Sequence, residues 1–285
     1  MPVAILAMTL VILVFGFIQS RSGPDVIVAG PDDLGHIHDL ILDADGTLLV
    51  AAHTGLYRVE DSTSAVLVSG GRHDFMALAS LPSGEFVASG HPDLRDPQWR
   101  VDDKPPYMGL ARSQDGGESW EPGDQLGDAD FHAIAPIDDE RLVAAESAGT
   151  IWFTNAQMWE QRSELAAVDL AIRPGNDAVV IGITESNELK ISDDQAATWS
   201  TVSEAPPLAV IDWPEADRLV GVRPDGVIVS AETYDGEWQQ IGSVAPEPEA
   251  ILASGADLWV AVEGGRIFHT DGQSDVAVFY QPPAR

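Results

Sequence analysis

The chain has 285 residues, 46 of them acidic and 15 basic, for a formal net charge of −31. That balance excludes a basic face for nucleic acid or anionic lipid headgroups, and the absence of cysteine excludes disulfides, thiolate metal sites and cysteine nucleophiles. A hydrophobic content of 45% suffices for a packed core.

Pro2 to Ile18 carries no charge and one polar side chain, Thr9, before Gln19, Ser20 and Arg21 end the run. Its length matches a helix that just spans a bilayer core of about 30 Å. Residues 1–23 therefore read as a signal peptide or a membrane anchor. The anchor is favoured, because there is no basic n-region and no clear A-x-A site. Export is the working expectation, with membrane contact through residues 2–18 only.

Residues 24–285 repeat. Each unit has a first strand, a second apolar strand ending in a small and a polar residue, a third strand, and often a tight turn before Trp. First strands begin near His36, His73, Asp130, Val168, Leu208 and Ala250. The matching second strands are TLLVAAH, EFVASGH, RLVAAE, AVVIGIT, RLVGVR and LWVAVE. The third-strand turns start at Ser113, Thr154, Ser192, Ser230 and His269, spaced 38 to 41 residues apart. Four strands per 40-odd residues is propeller spacing. The expectation is an all-β, six-bladed β-propeller of four-stranded blades, monomeric, preceded by a hydrophobic helix. Asp25 to Gly30 is expected to add a strand at the closing seam. An insertion of roughly Pro92 to Pro106 interrupts unit 2 and reads as a functional loop or lid.

Ser113, Asp115, Gly117 and Trp120 resemble the Asp-box S-x-D-x-G-x-T-W of sialidase-type BNR repeats, with Ser119 in the Thr position. Residues 31–280 also resemble bacterial exported BNR-repeat proteins often labelled glycosyl hydrolase, through HIHDL, AAHTGLYRV, ASGHPD, the Asp-box and DFHAI in that order. The resemblance implies a sialidase-like propeller, with the Asp-box as structure rather than active site. Asp or Ser can tie the turn, Gly permits positive φ, and Trp packs between blades. The turns of units 3 to 6 read as decayed copies.

In a four-stranded blade, the start of strand one and the end of strand two share a face. His36, His38, His73 and His132 open first strands, while His53 and His91 end second strands. Six of seven histidines thus fall on one face, and His269 falls on the other. Glu146, Thr184, Arg223 and Glu263 complete that ring of strand-two ends. Imidazoles with nearby carboxylates suit Zn²⁺, Cu²⁺, Ni²⁺ or Fe²⁺, so His36, His38, His53 and His132 are candidate ligands of a transition metal. His73, His91, Arg223 and Tyr107 are candidates for binding a small molecule or glycan. The bland alternative is that His and Asp stitch blades together.

A glycosidase needs two carboxylates across a pocket. Glu146, Glu263, Asp74 and Asp169 qualify by position. A true sialidase also needs an Arg cluster and a Tyr–Glu pair, and the Arg-Ile-Pro signature is absent. No P-loop, dinucleotide fingerprint or G-x-S-x-G elbow occurs. A third reading is a non-catalytic scaffold for an envelope partner protein, docking through Trp99 and Tyr107 of the insertion. The bland reading of Trp99 is that it covers the disc edge.

Overall fold

The computed structural model describes residues 26–284, apart from 69, 70, 156, 157 and 274. Among these, 24 strands form six four-stranded antiparallel sheets, each from consecutive strands. The innermost strands are Ile37–Leu42, Asp74–Ser80, Phe131–Pro136, Ala167–Ile172, Val210–Glu215 and Pro248–Ser254. Each packs against the next around the axis, and the sixth returns to the first. The chain is a six-bladed β-propeller. The apolar run at residues 2–18 lies outside the described residues. Among those described, no helix is long and apolar enough to cross a membrane.

The second strands explain the uniform apolar runs. Leu48–Ala52 is buried at every position, because neighbouring blades cover both faces of each sheet and period-2 alternation is lost. Six buried apolar clusters sit between neighbouring blades. The insertion follows this logic. Its short 3₁₀ turn, Pro97–Trp99, is capped by the Asp96 side chain. Trp99 is buried with Phe75, Met108 and Trp120 between blades 1 and 2, so it covers core and is no exposed anchor.

Among the described residues, the ring closes without a blade shared between chain ends. Val28 instead forms an antiparallel bridge to Val66 in the outer strand of blade 1, flanked by Ala29 N to Ala65 O and Leu67 N to Ile27 O. The expected extra strand is therefore a short clip on that outer edge. Gln281 N to Ser62 O and Gly264 N to Gly35 O tie blade 6 to blade 1.

Two third-strand turns share one hydrogen-bond pattern. In blade 2, Ser113 Oγ donates to Asp115 Oδ1 and accepts from Gly117 N, and Asp115 Oδ1 accepts from Ser119 N. In blade 4, Ser192 Oγ donates to Asp194 Oδ1 and accepts from Ala196 N, and Asp194 Oδ1 accepts from Thr198 N. Gln195 and Ala196 adopt φ of 57° and 64° where blade 2 has Gly116 and Gly117. The blade 4 turn is thus intact despite losing its glycines. In blade 5 the pattern is gone, because Ser230 Oγ donates to Leu219 O.

Candidate functional site

The site begins with an irregularity repeated in five blades. The register between first and second strands shifts by one residue at Ile37/Asp39, Phe75/Ala77, Phe131/Ala133, Ala167/Asp169 and Pro248/Ala250. The residues skipped are His38, Met76, His132, Val168 and Glu249. A bulge leaves its extra residue unpaired and re-aims its side chain. His38, His132 and Glu249 accordingly line the central channel beside His36.

A continuous row of side chains crosses the channel mouth from blade 6 to blade 3. Glu249 Oε1 pairs with His36 Nδ1, and Glu249 Oε2 accepts from Ile37 N at 3.0 Å. The rings of His36 and His38 lie 4.5 Å apart, and His38 Nε2 is 3.3 Å from His53 Nδ1. Asp74 then bridges two blades, with Oδ1 at 2.6 Å from His53 Nδ1 and Oδ2 at 3.1 Å from His91 Nδ1. Asp130 Oδ2 is 3.7 Å from His91 Nε2 and 3.0 Å from His132 Nε2. Gly90, at φ 135°, lets strand two approach the backbone of Asp74, and a Cβ there would overlap the Asp74 carbonyl oxygen.

Each of His36, His38 and His53 offers a nitrogen within 4.8 Å of the other two. An ion held by nitrogens at about 2.0–2.1 Å in a tetrahedron separates its ligands by about 3.3 Å, the spacing of His38 and His53. Burial, then the charges of His36 and His53, lowers His38 to about 3, so it stays in the neutral form that binds metal. The Glu249 hydrogen bond raises His36, against burial. Burial pushes the Asp130 carboxyl up, but its hydrogen bond with His132 and the charges of His132 and His91 together bring it below its usual range.

From the mouth inward, the channel forms an open cavity of about 560 Å³. Three carboxyls in its lining stitch blades together. Asp39 Oδ2 accepts from Leu78 N, Asp169 Oδ2 from Ile211 N and Asp212 Oδ2 from Ala253 N, at 3.0, 2.8 and 2.7 Å. Burial raises them to about 7, 8 and 6.

The structure brings His36, His38, His53, Asp74, His91 and His132 into one row, with Tyr107 tilted beside His91 at 6.1 Å between ring centroids. It sets four other candidates apart. His73 is buried, accepts from Asp93 N and packs on Trp99; it holds the insertion rather than facing the row. Arg223 pairs with Asp225. Glu146 accepts from Trp152 Nε1 at 2.8 Å. Asp169 is occupied with backbone on two blades. Glu263 lies beside Glu247 and Glu249 next to His36, and its hydrogen bond raises Glu247. His269 pairs with Asp257 away from the row. Glu249 is a site residue that no sequence motif marks. Its signal was alignment with His38 and His132 across units.

No family model matches the chain, and no curated protein matches it. Solved structures do. The WD40 β-propeller domain of Doa1 aligns at TM-score 0.59 and 10% identity, over 86% of this chain and 82% of that one. The extracellular domain of the putative one component system BT4673 from B. thetaiotaomicron aligns at 0.56 and 12%, over 88% and 38%. Virginiamycin B lyase from Staphylococcus aureus aligns at 0.53 and 14%, over 90% and 88%. At these identities the likeness establishes the β-propeller fold alone.

Proposed function

We propose that this protein is an exported β-propeller that holds a divalent transition-metal ion at its channel mouth through His36, His38 and His53. The observation that carries the reading is the convergence of three imidazole nitrogens within 4.8 Å of one another. Asp74 adds an adjacent anionic donor. Glu249 on His36 supplies the carboxylate partner that orients a ligating imidazole. An ion held there would supply Lewis-acid chemistry to a small ligand in the channel. His91 and Tyr107 flank that entrance. Export rests on the apolar run of residues 2–18. The matched turns at Ser113 and Ser192 support assignment of the blades to the BNR type. Hydrolysis of a glycosidic bond, with Glu146, Glu263, Asp74 and Asp169 as candidates, has support from that resemblance and not from a facing carboxylate pair.

Melting of the untagged chain tests the metal reading. An ion bound only by the folded state adds about 2.7 kcal/mol at a hundredfold excess over Kd. Zn²⁺, Cu²⁺, Ni²⁺ or Fe²⁺ is expected to raise the melting temperature of the wild type and not that of His36→Ala/His38→Ala. Equal shifts in both proteins, or none with any of the four ions, would reject the site.

A further inference from the structure

The clip on the outer edge of blade 1 presents an apolar run to solvent. Val26, Ile27 and Val28 are 70%, 43% and 57% exposed. The other exposed large apolar side chains among the described residues are Leu94, Met158, Val168, Ile241 and Val278, one in each of blades 2 to 6. Single exposed apolar residues are ordinary on a protein surface, whereas a contiguous run marks a contact. Successive side chains of an extended segment point to opposite faces, so exposure of all three leaves both faces of the clip bare. The clip is nonetheless fixed in place, by Ala29 N to Ala65 O at 2.8 Å and Leu67 N to Ile27 O at 2.9 Å. That pairing turns the N–H and C=O of Val28 away from the blade.

Resting on the reading of residues 2–18 as a membrane anchor, we propose that the clip is a second, shallow contact with the same bilayer. Residues 19–25 join the two, and seven residues reach about 25 Å at full extension. The rim of blade 1 is therefore the part of the disc tethered nearest the lipid. With a net charge of −31 the chain gains nothing from anionic headgroups, so the partner is zwitterionic lipid and the contact is made by apolar side chains. The outward N–H and C=O of Val28 set its depth, because they need water or headgroup partners and are costly in the hydrocarbon core. The clip therefore lies at the boundary of headgroups and acyl chains, where apolar side chains are buried while the polar groups stay hydrated. The disc then stands on its blade 1 rim, and the channel mouth opens along the membrane rather than into it.

The absence of cysteine makes the test direct. Met8→Cys, Val28→Cys and Ser200→Cys are each labelled with an environment-sensitive fluorophore in the full chain. The chain is reconstituted into phosphatidylcholine vesicles that carry a spin-labelled quencher near the top of the acyl chain or deep within it. Position 8 reports the anchor, position 28 the clip, and position 200 the outer strand of blade 4, across the ring. Circular dichroism checks that each variant folds. Quenching is expected at position 28, stronger from the shallow quencher than from the deep one, with none at position 200. Adding Val26→Asp/Ile27→Asp to the Val28→Cys chain keeps the backbone pairing and should abolish that quenching. Position 8 quenched with position 28 as unquenched as position 200 overturns the clip contact and leaves the anchor standing. Equal quenching at position 28 with and without the two aspartates also overturns it, since the tether alone would then hold the label near lipid. No quenching at position 8 overturns the anchor reading and the clip contact together.

Discussion

Among the mouth imidazoles, His38 stands out, because burial and the charges of its histidine neighbours keep it neutral to about pH 3. A neutral imidazole is a ligand in waiting, and its position on a bulge explains why it faces the channel rather than its partner strand. The carboxyls deeper in the channel behave in the opposite sense. Burial raises Asp169 to about 8, so between roughly pH 4 and 8 the folded chain keeps a proton that the unfolded chain has released. The stability tied to that proton is fully present below the unfolded value and is lost as pH rises through about 8. Asp212, raised to about 6, acts in the same direction at lower pH. Urea midpoints measured between pH 5 and 9 should therefore fall less steeply for Asp169→Asn than for the wild type. Parallel slopes would show that this carboxyl does not titrate as described.

At the scale of strands and turns, the blade 4 turn shows how far its side-chain bonds can compensate for sequence. Ala196 and Gln195 hold left-handed backbone that glycine adopts more readily, and Ser192 Oγ accepts from the buried Ala196 N. Ser192→Ala strands that donor and should cost about 1–3 kcal/mol, read as a lower urea midpoint. An unchanged midpoint would mean that packing alone fixes the turn. The blades themselves were legible because each second strand is largely buried on both faces and the turns of blades 2 to 5 end in Trp120, Trp159, Trp199 and Trp238. The face carrying the histidines was legible because strand ends alternate between the two sides of a disc. The bulge was not, since one extra residue leaves no mark in composition. Glu249 went unseen as a site residue for that reason. His73 was misplaced because its environment is set by Trp99, which arrives from an insertion 26 residues later in the chain.

Across the whole molecule, the notable feature is a ring sealed by contacts rather than by a shared sheet. Gly265, at φ 78°, lies against the Leu34 carbonyl oxygen at the junction of blades 6 and 1, and a Cβ there would overlap it. Gly265→Ala should cost about 1–3 kcal/mol through backbone strain. Because Glu249 and His36 meet across that junction, the same change should weaken metal binding. Lost stability with unchanged affinity would separate ring closure from the site. The chain's formal net charge of −31 sets exposed carboxylates against one another, a repulsion that opposes the compact state.

Anomalous diffraction from crystals of the Zn²⁺-loaded protein would locate an ion at the channel mouth by direct observation. A zinc peak is expected within coordination distance of His36, His38 and His53 at the channel mouth. Peaks confined to surface carboxylates or to the Ser113 and Ser192 turns, with none at the mouth, would contradict it.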